Sequence, residues 1–187
     1  EGRDPDSPIR PAVRRGDVIK AQIPHKIPTQ TQGLFMNSRR AAFSDARVRQ
    51  ALGLMLDFEW TNRALFSSAY RRASSYYPNS EFSASGLPVG KEWLLLAPYR
   101  SQLPAALFKV SHTDGRGINR QTLRQALNLL AQAGWKLNGQ RLLDSKGNPL
   151  KLELLLVNPN LERILQPYVE NLASIGIDAS LRTVDRA

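Results

Sequence analysis

The side chains that could do chemistry are few, and their spacing says little for catalysis. The 187 residues contain two histidines, His25 and His112, and neither has a carboxylate or a second histidine at metal-ligand spacing. There is no cysteine, which removes disulfides, thiolate zinc sites and thiol catalysis. Serine is plentiful, but no serine sits in a nucleophile elbow. Gly115-Arg116-Gly117 lacks the further glycine and the lysine of the phosphate-binding fingerprints. Asp57 and Glu59 are a close carboxylate pair of the kind used in acid–base work. They lie at the end of a helix, where carboxylates serve as caps and surface ion pairs. No catalytic constellation emerges, no metal or cofactor is expected, and the chain reads as a binding protein rather than an enzyme.

The richest recognition chemistry is in Tyr70-Arg71-Arg72-Ala73-Ser74-Ser75-Tyr76-Tyr77-Pro78-Asn79-Ser80-Glu81-Phe82. Aromatic faces, amides and guanidiniums suit a peptide and a single-stranded nucleic acid equally well. The same aromatics also suit a loop that folds down onto the core.

The elements that must position these residues follow from periodicity and capping. Residues 1–17 carry Pro5, Pro8 and Pro11 among arginines and read as an extended arm or linker. Val18 to Ile23 alternates and reads as a short strand ended by Pro24; Leu34-Phe35-Met36-Asn37 reads as a buried strand. Ser44 suits the N-cap of a helix whose inward face is Val48, Ala51, Leu52 and Met55. A further helical stretch covers Glu59 to Phe66. Residues 67–90 form a long loop, and long loops in compact domains are often functional. Lys91 to Pro98 reads as a short helix. Asn119 caps a helix to Gly134 with a stripe of Leu123, Ala126, Leu127 and Leu130, and Ile118 is placed to staple onto Leu123. Asn138-Gly139 predicts a type I′ hairpin between Trp135–Leu137 and Arg141–Leu143. A strand over Leu150–Val157, a helix capped by Asn158 with Pro159 at its first position, and a strand over Ile177–Val184 form a βαβ unit with parallel strands. Pro167 is expected to kink or split that helix. A chain that stops just after a fresh strand reads as a domain cut short.

Composition bounds the partners. Apolar residues make up 42% and charged residues 22%, ordinary for a globular chain. The net charge is +10, from 26 Lys+Arg against 16 Asp+Glu, and it invites nucleic acid, anionic membrane or acidic ligands. The excess is spread over the first 150 residues, with pairs such as Arg14-Arg15, Arg39-Arg40 and Arg71-Arg72 but no long basic run. Glu1 opens the chain and no signal-peptide pattern follows it. The apolar runs Trp93–Ala97 and Leu154–Val157 are far too short to span a bilayer.

A resemblance then becomes visible in three ordered motifs. Phe35-Met36-Asn37-Ser38-Arg39-Arg40, Phe43-Ser44-Asp45-Ala46-Arg47-Val48-Arg49-Gln50-Ala51-Leu52 and Asp57-Phe58-Glu59-Trp60 form the first block. Ala131-Gln132-Ala133-Gly134-Trp135, with Gly139-Gln140-Arg141-Leu142 and Gly147, is the second; Tyr168–Leu172 with Ile175-Gly176-Ile177-Asp178 is the third. Together they resemble the extracellular solute-binding proteins, family 5, of peptide ABC importers. Asp57–Arg63 and Tyr77–Phe82 are similar to the YejA-type oligopeptide-binding members. The resemblance implies an α/β chain: one lobe of a type II periplasmic-binding-protein fold, a mixed sheet flanked by helices, with a β-hairpin. It implies that residues 18–187 are part of the second of two lobes around a cleft, in a periplasmic receptor. The implied partners are an oligopeptide ligand, the remaining lobe and an ABC permease in the inner membrane, with no nucleic acid and no membrane span of its own. In relatives an acidic residue that holds the peptide amino terminus lies beyond the position of Val184, and Asp178 and Asp185 do not match it. Asn37, Arg39, Arg40, Tyr76, Tyr77, Asn79 and Glu81 are the expected cleft-side residues, the first three because ligands of open α/β sheets bind at strand C-termini. A basic nucleic-acid-binding module is the alternative, and an interaction domain without a small ligand is a third reading.

Overall fold

The computed structural model describes residues 9–19, 21, 23–84, 86–103 and 113–185. His112 and residues 1–8 lie outside the described residues. Among the described residues seven helices and four strands follow one another: α1 Ile9–Arg15, α2 Ala41–Ser44, α3 Ala46–Leu54, α4 Phe58–Phe66, α5 Gly90–Leu96, α6 Arg120–Gln132, β1 Lys136–Asn138, β2 Arg141–Leu143, β3 Lys151–Leu156, α7 Asn160–Ser174 and β4 Asp178–Thr183. A turn of 3₁₀ helix, Ala97–Tyr99, extends α5.

The core is built where apolar periodicity is strongest. Val48, Ala51 and Leu52 of α3, with Met55 just after its end, are all essentially inaccessible and pack with the buried Ala126 and Leu130 of α6. Leu165, Tyr168 and Leu172 of α7 close the other side, and Leu142, Leu150, Leu152, Leu156, Ile175 and Ile177 complete one continuous cluster. The Tyr168 hydroxyl is buried with the ring and donates to the Leu52 carbonyl at 3.1 Å, joining α7 to α3 across 116 positions of sequence. Asn171 repeats the link one turn on, donating to the Met55 carbonyl at 3.1 Å.

Strands of both orientations are present, in two small ladders. β1 and β2 are antiparallel, and β3 and β4 are parallel with α7 as the crossover. The hairpin is pinned to the βαβ unit through Leu142, the middle residue of β2. Leu142 N donates to the Gly176 carbonyl at 2.8 Å, and Leu150 N donates to the Leu142 carbonyl at 2.9 Å. Gly176 has φ +82°, and a Cβ there would stand 2.8 Å from Leu142 N and 2.7 Å from Leu137 Cδ1. Only glycine allows that approach.

Several expectations need correction. Residues 9–15 are helical rather than extended. Pro11 is only the third helical residue, inside the first turn, where the missing N–H has no intrahelical partner to lose. Val18, Ile19, Ala21 and Ile23 form no strand, and Ile19 and Ile23 stand about as open as in an unfolded chain. Leu34–Asn37 also forms no strand, although Leu34 and Met36 turn inward and Phe35 outward as the alternation requires. A strand needs a neighbour to hydrogen-bond, and neither segment has one among the described residues. The α3 cap is Asp45, not Ser44. Asp45 accepts from Arg47 N at 2.8 Å, while Ser44 ends the preceding short helix. The hairpin loop is Gly139-Gln140, since Asn138 pairs with Arg141. Gly139 alone has positive φ, so the turn is the type that asks for glycine at its first position rather than type I′. Pro167 does not split α7, which runs unbroken from Asn160 to Ser174 with the proline inside it.

Candidate functional site

Helix α4 holds two segments, the loop that follows it from residue 67 and the stretch 113–117 just before α6. Asp57 starts it: its side chain accepts from Trp60 N at 3.1 Å and so satisfies one of the helix's orphan donors. The same carboxylate accepts from Gly117 N at 2.8 Å and from the Thr113 hydroxyl. Asp57 is the one buried charged side chain among the described residues, at 4% exposure, and these donors replace the water it has lost.

Two residues on, Glu59 receives a two-pronged ion pair from Arg72, with Nε at 2.8 Å and Nη2 at 2.9 Å. Thr113 N donates to Glu59 at 3.2 Å, and the Thr113 hydroxyl lies against both carboxylates. The Arg72 hydrogen bonds hold the Glu59 carboxyl down at about 2, below its ordinary 4.5, against an opposing effect of burial. Arg72 also stacks over the Phe58 ring, 5.1 Å from its centroid. Asn62 donates to the Tyr70 carbonyl at 2.7 Å and accepts from Tyr70 N at 3.0 Å. Arg63 donates to the Gly115 carbonyl. Gly115 has φ +69° and a Cβ there would lie 3.2 Å from Glu59 Cβ, so the backbone passes directly over the helix.

The candidate residues fall into two groups held by different elements. Asn37, Arg39 and Arg40 do not end a strand, as expected, but form an exposed turn ahead of α2. Asn37 Oδ1 accepts from Arg39 N at 3.2 Å, and its carbonyl accepts from Arg40 N at 3.0 Å. Neither arginine has an ion-pair partner among the described residues. Tyr76, Tyr77, Asn79 and Glu81 lie in the 67–90 loop, all exposed. Tyr76 is 94% exposed, so the loop does not fold its aromatics onto the core, and Tyr77 packs edge-on to Phe82 with ring centroids 6.4 Å apart.

Asn79 has a different task from the other six. At φ +62° it donates to the carbonyls of His25 and Ile27 at 3.0 and 2.9 Å, and Thr29 N donates to the Pro78 carbonyl at 3.0 Å. It latches the loop to the segment 25–29. No hydrogen bond among the described residues joins the Asn37 group to the Tyr76 group. An open groove between α7 and β4, lined by Glu162, Arg163, Gln166, Ser180 and Leu181, contains none of the seven.

Sequence reasoning missed His25, Arg72 and Thr113 as structural partners of the loops. The available signal was Gly115 and Gly117: two near-adjacent glycines without a phosphate fingerprint mark a backbone that must turn tightly against a neighbour. No three metal-ligating side chains come together among the described residues. His25 Nδ1 accepts from Ile27 N at 3.2 Å, and no nucleophile or carboxylate is bonded to the ring among the described residues. What the surface offers is recognition: aromatic faces, amides and cations. No helix of the described residues is long and apolar enough to cross a membrane.

The chain is 37% identical over 180 residues to the peptidoglycan-binding protein YepA of Agrobacterium fabrum, covering 94% of this chain and 29% of that protein. It is 35% identical over 182 residues to the probable peptide-binding protein YejA of the same organism, covering 94% of this chain and 30% of that protein. The chain thus spans under a third of the length of the relatives it matches. The oligopeptide-binding protein AppA of Bacillus subtilis, solved in complex with a nonapeptide, shares the fold with a TM-score of 0.57 at 23% identity, over 80% of this chain and 25% of that one. The fold is that of the type II periplasmic binding proteins. The family model for the middle part of the bacterial extracellular solute-binding proteins, family 5, matches residues 6–187, and the chain belongs to that family.

Proposed function

We propose that this chain supplies one wall of the ligand cleft of a two-lobed receptor that captures oligopeptides in the periplasm for an ABC importer. Family membership across residues 6–187 carries the reading. The opposite wall comes from the remaining lobe of the same polypeptide, and hinge closure brings the two together on the ligand. Binding is non-covalent. Asn37, Arg39, Arg40, Tyr76, Tyr77 and Glu81 face the peptide, while Asn79 holds the loop of Tyr76, Tyr77 and Glu81 in place. Arg39 and Arg40, without ion-pair partners among the described residues, favour peptides that carry free carboxylates; the relatives named above are called peptide-binding and peptidoglycan-binding proteins. The closed complex delivers its cargo to a permease in the inner membrane.

Mass spectrometry of small molecules released from the purified full-length protein, followed by calorimetric titration of the peptides found, tests this reading. Recovery of peptides that rebind supports it. A full-length protein that carries no peptide and binds none in titration refutes it. The nucleic-acid reading rests on the +10 charge. Arg15, Arg47, Arg72, Lys151 and Arg182 each have a carboxylate partner, which lowers the charge available to a phosphate backbone. A gel shift that vanishes between low and physiological salt, with no peptide bound, would favour it.

A further inference from the structure

The geometry points to Glu59 as a positioning residue: one carboxylate that clamps the start of the 67–90 loop and the 113–117 segment onto α4 at once, and so sets the ligand affinity of that loop. The inference rests on the proposed role of the 67–90 loop as a ligand wall.

Four observations carry it. Arg15–Asp17 and Arg47–Asp45 join residues two positions apart, and Lys151–Asp178 and Arg182–Glu153 cross neighbouring strands. Glu59 instead joins segments 13 and 54 positions away, to Arg72 and Thr113. The Arg72 pair is bidentate and only 27–31% exposed, the arrangement in which a charge-assisted pair is geometrically specific. Flanking α4 residues divide the two loops between them: Asn62 grips Tyr70, while Asp57 and Arg63 grip Gly117 and Gly115. Glu59 alone among these contacts both. Arg72 stands four residues before Tyr76, so fixing its guanidinium fixes the root from which Tyr76, Tyr77 and Glu81 project. Thr113 anchors the 113–117 segment on the other side. A shift of either loop is felt by the other through the shared carboxylate.

Hydrogen exchange on the full-length protein tests the clamp, with calorimetric binding of trialanine and an alanine-rich nonapeptide read in parallel. Four variants separate the contributions. Arg72→Gln is expected to speed exchange at residues 70–84 only, and Thr113→Val at 113–117 only. Glu59→Gln, which keeps the shape and removes the charge, is expected to speed exchange about tenfold in both segments. It leaves α3, α6 and α7 protected, which a general loss of stability would not. Peptide affinity is expected to fall about tenfold in Glu59→Gln, with recovery in Glu59→Asp smaller than full because the shorter arm cannot reach both partners. Faster exchange in one segment only, or in neither, overturns the clamp. Faster exchange in both with unchanged peptide affinity overturns Glu59 as a positioning residue. If the unmutated protein binds neither peptide, the ligand reading fails, and the exchange data still decide the clamp by themselves.

Discussion

Replacing Gly176 with alanine strikes the joint between the hairpin and the βαβ unit. At φ +82° an L-residue costs about 1–2 kcal/mol relative to glycine. The added Cβ would also lie 2.7 Å from Leu137 Cδ1, 2.8 Å from Leu142 N and 3.1 Å from Arg141 C. The leucine tip can rotate away, but the other two atoms are backbone, so the hairpin must lift. That movement strains the 2.8 Å bond from Leu142 N to the Gly176 carbonyl. Overpacking of this kind adds about 1–3 kcal/mol, for a total near 3 kcal/mol. Gly134→Ala is the matched control: its φ is +90° and nothing lies within 4 Å of the added carbon, so it isolates the conformational cost. In urea, with a slope of about 2 kcal/mol per molar, Gly176→Ala is expected to lower the midpoint by about 1.5 M, and Gly134→Ala by about 0.5–1 M. Two variants equal within about 0.5 kcal/mol would show that the hairpin yields freely, and the close approach would then not be what demands glycine.

Tyr168→Phe removes the buried hydroxyl that donates to the Leu52 carbonyl and is expected to cost about 1 kcal/mol in the same urea assay. Burial pushes the Tyr168 phenol well above its ordinary range, so this bond persists through the alkaline range in which exposed tyrosines ionise, and spectrophotometric titration checks it. Glu59 is held at about 2 against 4.5 unfolded, so its contribution is complete above 4.5 and is lost as pH falls toward 2; Glu59→Gln should flatten the fall of the thermal midpoint across that window. Tyr76→Ala and Tyr77→Ala are each expected to weaken peptide binding about tenfold. Tyr76 is 94% exposed and packs on little, so its truncation should leave the thermal midpoint unmoved; a lowered midpoint would mean that the tyrosine supports the fold instead.

What was legible in advance follows a physical line. Helices α3, α6 and α7 were readable because their burial has a 3.6-residue period, and Asn119 shows the same for caps, accepting from Gln121 N and Thr122 N as its type predicts. Where two adjacent residues could both cap, Ser44 and Asp45, local preference did not choose between them; the backbone of the preceding turn did. Val18–Ile23 and Leu34–Asn37 carry strand patterns but form no ladder, because alternation states which side chains turn inward and says nothing of the partner strand. In the candidate site, the aromatic and arginine residues were visible as residue types. Asn79 could not be seen as a latch, nor Glu59 as a clamp, since each depends on partners at least 13 positions away.

The sequence by itself determined the class of chemistry, the amphipathic helices, the hairpin, the parallel βαβ unit and, through three ordered motifs, the family. These are properties of short spans, set by side-chain period, capping and turn residues, whose energies are local. Tertiary structure alone decided which loops α4 holds, why Asp57 is tolerated in the interior, and why Gly176 must be glycine. Each of those depends on segments distant in sequence meeting at hydrogen-bond distance, and such a meeting is fixed by the packing of the whole core.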